Sequence, residues 1–308
     1  MPVFTFAGDL VEILEEYTYV GMTFKRGQIT TFATSVAEPH YRIKAEKARK
    51  VAHAVLHVES MIGTLPPDEG RILYMGCVDP HLIYGCEIIL DTSETVSAPI
   101  KAVQNNYLRR LLGLSKHSVT AVQFTETGLT PILYRRMQLA LRYLDYALER
   151  PHSTYVYAAV MDSISLYAAG KSSWYADLIR VIERAVPPQT HPIPDAKEMQ
   201  DRNHRRSFQE RVDKGCREQI ENELGEKFRK VYLLRERKEP SAEGSSYRYK
   251  TLCMRQYLQQ IENAQHRKVF TKILAGDHPL AVDRLRWTDN HRLQVPYAER
   301  LCRLCRLK

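Results

Sequence analysis

The spacing of hydrophobic and polar residues changes near residue 30. Residues 3–6 (Val-Phe-Thr-Phe) and 17–24 (Tyr-Thr-Tyr-Val-Gly-Met-Thr-Phe) are rich in aromatic and β-branched types, which is typical of strands. A turn is predicted at Gly8-Asp9 and another over 25–28. Beyond residue 30 the apolar residues recur with a period near 3.6, which is typical of helices. The pattern therefore predicts a mainly α chain with a short N-terminal β segment.

The helical pattern predicts a succession of helices punctuated by glycine and proline. The first begins near Val36 and ends at Gly63, and Gly113 closes a later one. The predicted buried face of the first comprises Ile43, Val51, Val55, Val58 and Ile62. The helix after Pro131 is predicted to bury Leu133, Met137, Leu141, Leu144 and Leu148. The other predicted helices are 71–77, 80–90, 96–111, a short one capped by Ser118 before Gly128, 155–169, 173–185, 196–235 and 249–275.

A proline-rich stretch gives the best predicted domain boundary. Residues 187–194 read Pro-Pro-Gln-Thr-His-Pro-Ile-Pro, which favours an extended, stiff linker. The predicted organisation is a β-rich segment at 1–30, a helical domain at 31–186, a linker at 187–195 and a second, basic helical domain at 196–308.

The positive charge is unevenly distributed. Residues 1–150 hold 16 Lys and Arg against 16 Asp and Glu, whereas residues 196–308 hold 26 against 16, a net +10. Such asymmetry indicates a polyanionic partner, of which nucleic acid is the usual one. On helices, the basic residues would form ridges that can follow a phosphate backbone, although a solvated surface has the same composition. These residues are Lys44, Lys47, Arg49, Lys50, Arg202, Arg205, Arg206, Arg229, Lys230, Arg284, Arg286 and Arg292.

Composition also bounds the compartment. No stretch approaches the roughly 18 apolar residues of a membrane helix, and the first residues lack the basic start and apolar run of a signal peptide. The six cysteines are scattered, so a disulfide framework is not expected. The sequence predicts an intracellular protein, nuclear or cytoplasmic, without a membrane partner.

The most closely spaced cysteines lie near residue 308. Cys302 and Cys305 form a Cys-x-x-Cys pair that could hold half of a zinc site, with His291 as one further ligand upstream. A structural zinc needs four ligands, so no cofactor is expected unless further ligands complete the site.

Carboxylates offer little for phosphoryl transfer. No Asp-Asp pair occurs, and Asp9 has the setting of a turn residue. Asp195 with Glu236 and Lys238 fits a loose metal-dependent nuclease pattern, but Asp195 is well placed to cap a helix after the linker, and Glu236 and Lys238 lie in a charged run at a helix end.

Several segments, in this order, carry a family resemblance. Residues 17–24 resemble a Tyr-Leu-Gly strand, with Val20 in place of the usual Leu, and residues 40–48 resemble the helix that follows it. The remaining motifs are Leu73-Tyr74 with Tyr84-Gly85-Cys86-Glu87, then 109–114, 126–132, Arg135-Arg136, 276–281, 283–287 and the Cys302/Cys305 pair. Together they are similar to the C-terminal region of non-LTR (LINE-type) retrotransposon reverse transcriptases.

That resemblance implies a specific arrangement. Residues 1–30 would be a palm remnant that includes the primer grip, 31–186 the thumb, and 196–308 a basic helical domain ending in half a zinc knuckle. The catalytic aspartates of the palm have no counterpart, so the resemblance implies a truncated, non-catalytic piece rather than an enzyme.

The implied partners are RNA or an RNA–DNA hybrid, contacted through the backbone, and the rest of the polyprotein. The predicted nucleic-acid contacts are Tyr19, Gly21, Lys44, Lys47, Lys50, Arg202, Arg205, Arg206, Arg284 and Arg286. A helical protein-interaction module, the metal-dependent nuclease and the product of a decayed reading frame remain alternatives.

Overall fold

The computed structural model describes residues 5–7, 9–10, 14–26, 36–186, 195, 198–227, 230–234, 251–278, 285, 288 and 293–301. Over these residues the protein is mainly helical with short antiparallel strands at its N-terminus, which confirms the predicted fold class. No helix of the described part is both long and apolar enough to cross a bilayer.

The N-terminal strands form two small antiparallel pairs. Strand β1 (Thr5–Phe6) pairs with β2 (Asp9–Leu10), and β3 (Glu16–Tyr19) pairs with β4 (Met22–Lys25). The β segment predicted at residues 17–24 is therefore a hairpin and not one strand, because the chain reverses at Val20 and Gly21. Both have positive φ, 45° and 71°, as a two-residue hairpin turn requires.

The helices follow one another with short connections. Their bounds are α1 Glu38–His57, α2 Glu59–Ile62, α3 Pro67–Leu73, α4 Asp79–Ile83, α5 Glu94–Leu112, α6 Thr120–Thr127, α7 Ile132–Leu148, α8 Tyr155–Ala168, α9 Trp174–Ala185, α10 Arg202–Glu226, α11 Tyr257–Gln260 and α12 Ala264–Leu274. A π turn, Tyr74–Val78, joins α3 to α4. Short 3-10 turns occupy Glu198–Gln200, Tyr232–Leu234 and Tyr297–Glu299.

The chain forms two compact units, each assembled from three segments. The first comprises Met1–Val51, Cys77–Val103 and Ile132–Asp213, and the second comprises Ala52–Gly76, Gln104–Pro131 and Lys214–Lys308. The predicted boundaries at residues 30, 186 and 195 describe a different, sequential division and stay predictions.

In the first unit, α7 packs against α4, α8 and α9. Met137, Leu141 and Leu144 of α7 are buried, as the apolar spacing predicts, whereas Leu133 and Leu148 are only partly covered. Helix α8 is capped by the Thr154 hydroxyl and α9 by the Ser173 hydroxyl, each of which accepts a backbone N–H of the first turn.

In the second unit, α3 packs against α6 and α11. Tyr107 donates its buried hydroxyl to the Gly70 carbonyl oxygen at 2.6 Å, and a Cβ on Gly70 would lie 2.3 Å from a Leu111 methyl group. Glycine at position 70 therefore lets α3 approach the Tyr107–Leu111 face closely.

Three local predictions need correction. The buried face of α1 is Tyr41, Ala45, Ala48, Ala52 and Leu56, whereas Ile43, Val51, Val55 and Val58 lie at its margins and Ile62 is exposed. Small side chains on α1 allow close packing, and a search for large apolar residues misses them.

The other two concern helix ends. Ser118 does not cap α6, since its hydroxyl donates to the Ser115 carbonyl and Val119 is the N-cap. The predicted helix at 249–275 is interrupted, because Met254 forms a β-bridge with Thr127 and the chain is extended at Ile261.

Candidate nucleic-acid interface

Tyr19 and Gly21 lie at the tip of the β3–β4 hairpin. Tyr19 is 61% exposed. Gly21 has a φ of +71°, which favours glycine, and a Cβ there would lie 2.8 Å from the Tyr84 hydroxyl oxygen, so a side chain at position 21 would displace the Tyr84 ring. Tyr84 also donates its hydroxyl to the Val20 carbonyl oxygen at 2.5 Å. Tyr84 therefore fixes the hairpin turn to the body of the first unit.

Lys44 meets the same tyrosine. Its ammonium lies 3.6 Å from the centroid of the Tyr84 ring, within the range of a cation–π interaction. Partial burial lowers the pKa of Lys44, and the nearby Lys47 ammonium lowers it further. The structure thus gathers Gly21 and Lys44, both predicted contacts, around Tyr84, which the sequence marked only as part of a motif.

Lys44, Lys47 and Lys50 form a basic ridge along α1. They are spaced three residues apart and span about 9 Å of the helix axis. Lys50 forms a salt bridge with Glu46 at 3.0 Å. Because the pair is exposed to solvent, it contributes little to the stability of the fold. Neither Lys44 nor Lys47 forms an ion pair with a carboxylate of the described residues. We call Lys44, Lys47 and Lys50 the α1 ridge; its first two cations are available to an anion.

The predicted contacts on α10 are placed differently. Arg202 forms a salt bridge with Glu149 at 2.9 Å, and the exposed Arg206 lies 3.6 Å from Glu210. The prediction that Arg205 contacts nucleic acid needs correction, because its side chain is buried and only 4% exposed. Its Nε donates to Asp145 at 2.6 Å.

The rest of the Arg205 guanidinium is also used inside the first unit. Its Nη1 donates to the Met199 and Gln200 carbonyl oxygens. Arg205 therefore joins α10 to α7 and to the 3-10 turn, and it is withdrawn from the predicted nucleic-acid contacts.

Helix α10 as a whole is electrically balanced. It carries six Lys and Arg and six Asp and Glu, whereas α1 carries five against two. The excess of the C-terminal third lies beyond α10, since residues 227–308 hold 19 Lys and Arg against 8 Asp and Glu. Arg284 and Arg286 belong to that stretch but fall outside the described residues.

The sequence reasoning missed a buried ionic cluster in the first unit. Arg136, fully buried on α7, donates its Nε to Asp91 at 2.8 Å and its Nη1 to the Leu82 carbonyl oxygen at 2.5 Å. Tyr41 donates its hydroxyl to Asp91 at 2.8 Å. Arg184 donates to the carbonyl oxygens of Asp91 and Thr92.

Burial alone would lower the pKa of Arg136, but the Asp91 carboxylate outweighs it and the net shift is upward. Burial likewise raises the pKa of the Tyr41 hydroxyl, and the Asp91 charge adds to the rise. Arg136 therefore stays charged and Tyr41 protonated, which keeps this buried cluster intact as part of the core of the first unit.

His40 completes the described surroundings of Tyr84. The buried His40 donates its Nε2–H to the Tyr84 carbonyl oxygen at 3.0 Å. Its Nδ1 has no hydrogen-bond partner among the described residues. Burial lowers the pKa of His40 to about 4, and the positive charges of Lys44 and Arg136 act in the same direction. His40 is therefore neutral near pH 7.

The motifs of the second unit serve packing. The buried Glu126 and Arg255 form an ion pair at 3.6 Å, and the Arg255 N–H donates to the Glu126 carbonyl oxygen. A Cβ on Gly128 would lie 2.6 Å from the Met254 nitrogen. Asp277 accepts hydrogen bonds from the Ser115 N–H and hydroxyl, both at 2.5 Å. These landmarks of the resemblance hold the unit together.

No group of three or more His, Cys, Asp or Glu residues in the described part of the chain is arranged to bind a metal. Cys302 and Cys305 lie outside that part, so the half zinc site stays a prediction. Asp195 caps the Glu198–Gln200 turn, since it accepts from the Glu198 N–H at 2.7 Å while Glu198 accepts from the Asp195 N–H. This confirms its predicted capping role. Glu236 and Lys238, the other members of the nuclease pattern, are not among the described residues.

Comparison with protein-family models, with curated proteins and with solved structures finds no significant match to this chain. The similarity to LINE-type reverse transcriptases therefore rests on the order of its short motifs alone.

Proposed function

We propose that this protein binds nucleic acid through phosphate contacts and has no catalytic activity of its own. The observation that carries the proposal is the α1 ridge, where the ammonium groups of Lys44 and Lys47 have no carboxylate partner among the described residues. Partial burial and the nearby Lys47 ammonium lower the pKa of Lys44. Cations held close together without counter-charges are stabilised by an anionic ligand, and a phosphate backbone supplies one at regular spacing.

Position supports the same proposal. The ridge begins beside Tyr84 and the hairpin turn, so a strand held by Lys44 would also meet the tip of the hairpin. The family resemblance, taken as a proposal, would make this hairpin a primer grip and α1 the first helix of a thumb. The expected ligand is then RNA or an RNA–DNA hybrid, contacted through its backbone with little preference for sequence.

The proposed function is binding without catalysis. Two-metal phosphoryl transfer needs converging carboxylates, and the sequence contains no Asp-Asp pair. We expect the purified chain to incorporate no nucleotide on a primed template above a no-protein control. Template-dependent incorporation would contradict this part of the proposal directly.

The binding test uses the intact chain, because each unit draws its segments from distant parts of the sequence. A fluorescent RNA–DNA hybrid is titrated at several salt concentrations while its anisotropy is measured. With about four phosphates contacted, log affinity should fall against log salt with a slope near −4. The lack of binding at low salt, or an affinity that salt does not change, would overturn the proposal and favour a protein-interaction module.

A further inference from the structure

Two tyrosines occupy the outer strand of the hairpin beside the α1 ridge. Tyr17 is 56% exposed and Tyr19 61% exposed, and all four residues of β3 are exposed to solvent. Alternate residues of a strand share one face, so both rings stand on the same side of the hairpin. Across the hairpin they are paired with Phe24 and Met22, which are only partly exposed.

The hairpin is fixed in place. Lys25 forms a salt bridge with Glu38 at 2.6 Å, and its N–H donates to the Val36 carbonyl oxygen. At the other end, Tyr84 binds the Val20 carbonyl. The two exposed rings therefore stand on a support that is anchored at both ends, so little conformational entropy would be lost if they received a planar ligand.

The surroundings favour a nucleic acid over a protein as that ligand. The Lys44 ammonium lies over the face of the Tyr84 ring. The Tyr84 hydroxyl donates to the carbonyl oxygen of Val20, the residue that follows Tyr19. Burial of unpaired ammonium groups in an apolar protein interface is costly, whereas phosphates would neutralise them. An aromatic surface beside a row of cations is the combination by which proteins bind single strands.

The spacing agrees with this ligand. Residues two apart on a strand are separated by about 6.7 Å, which is about twice the 3.4 Å between stacked bases. At this Cα spacing, one base fits between the two positions of the strand, or each ring can take one base. A base that remains paired inside a duplex cannot stack in either of these two ways.

We propose that Tyr17 and Tyr19 form a stacking platform for unpaired bases of a strand whose phosphates lie on Lys44 and Lys47. This inference rests on the proposed function and adds the ligand class: nucleic acid with a single-stranded segment or end. The platform contributes affinity for unpaired nucleotides, while the α1 ridge contributes affinity for both single and double strands.

The test compares two labelled probes, an oligouridylate of about 15 nucleotides and a blunt RNA–DNA hybrid of about the same length. Tyr17→Leu/Tyr19→Leu should weaken binding of the oligouridylate by about tenfold for each ring removed. Its binding of the hybrid should stay within about twofold of wild type, because the phosphate contacts are intact. Tyr17→Phe/Tyr19→Phe should bind both probes as wild type does, because phenylalanine keeps the aromatic plane.

The matched control is Tyr155→Leu/Tyr232→Leu, which removes two exposed tyrosines outside the platform and should change neither affinity. An unchanged affinity of Tyr17→Leu/Tyr19→Leu for the oligouridylate, or an equal loss with both probes, would overturn the platform while leaving the proposed function standing. A change in self-association without a change in affinity would assign the face to a protein contact instead. Failure of wild type to bind either probe would remove the proposed function as well.

Discussion

Helices α1 and α10 were both predicted to contact nucleic acid, yet they use their basic residues in different ways. On α10, Arg202, Arg205, Arg206 and Lys214 each lie within 4.0 Å of a carboxylate, and Arg205 is buried. On α1, Lys44 and Lys47 have no described carboxylate partner. The longer helix has more cations, but the shorter one has the larger net charge.

The difference shows that the net charge of a segment does not locate a charged surface. Residues 196–226, which include α10, hold 7 Lys and Arg against 8 Asp and Glu. The long helix of the C-terminal third is therefore nearly neutral, although that third as a whole is basic. What matters for a polyanion is the number of cations that are exposed and uncompensated within a few ångströms of one another. By that criterion, and among the described residues, α1 offers a more favourable surface for a polyanion than α10 does.

The largest expected effect separates a structural cation from a surface one. Arg205→Ala should lower the free energy of unfolding by about 3 to 4 kcal/mol, because Asp145 would lose its buried partner and two carbonyl oxygens their donor. Arg206→Ala, its exposed neighbour, should change it by no more than about 0.5 kcal/mol. Urea denaturation followed by circular dichroism measures both; similar values for the two variants would erase the distinction within α10.

The next effect concerns the inner side of α1. Because the folded pKa of His40 is about 4 and the unfolded value is 6.5, the unfolded chain binds more protons between these pH values. The difference in His40 protonation leaves the free energy of unfolding unchanged above pH 6.5 and should lower it by about 3 kcal/mol as the pH falls to 4. Protonation would also create a buried Nδ1–H donor without a described partner.

Denaturation of wild type and of His40→Gln at a series of pH values isolates this contribution. The difference in stability between the two proteins should shift in favour of the variant as the pH is lowered. Parallel pH profiles would mean that His40 titrates normally and that the inner side of α1 is open to solvent.

A smaller effect is expected at the hairpin turn beside the α1 ridge. Val20 has a φ of 45°, which is unfavourable for a β-branched residue, and its side chain is 66% exposed. Val20→Asn should stabilise the protein by about 1 kcal/mol, because asparagine accepts this conformation and little apolar surface is lost. Thermal denaturation checks it, with Val20→Ala as the control that does not favour positive φ; a melting temperature for Val20→Asn at or below that of Val20→Ala would contradict the reasoning.

Much of the helical framework could be predicted from apolar spacing. The predictions for α8 and α9 are confirmed, and Gly113 and Gly128 both adopt positive φ after a helix. The single helix predicted to end at Gly63 is instead two, because α1 ends at His57 and the short α2 follows it. The face of α1 was wrong because its buried positions are mostly alanine, and apolar periodicity gives greater weight to the large side chains at the margins.

The chemistry of the site was harder to predict. Gly21 was named through the family resemblance and Lys44 also as one of the basic residues of a predicted helix. Nothing in the sequence pointed to Tyr84 as the residue that lies beside both. The Arg136–Asp91 pair joins residues 45 positions apart, so no local pattern reveals it. A buried arginine such as Arg205 has the same sequence signature as an exposed one, and only burial tells them apart.

The most direct test of the account is a comparison of two double variants of the intact chain that each remove two positive charges. Lys44→Gln/Lys47→Gln neutralises the two cations of the α1 ridge that have no carboxylate partner among the described residues, and Arg206→Gln/Arg217→Gln neutralises two exposed cations of α10. Each is titrated against the RNA–DNA hybrid over a range of salt concentrations. The account predicts that the α1 variant loses about two units of the salt slope, about 0.9 for each phosphate contact, while the α10 variant keeps the wild-type slope. Equal slopes for the two variants, or a larger loss in the α10 variant, would contradict it.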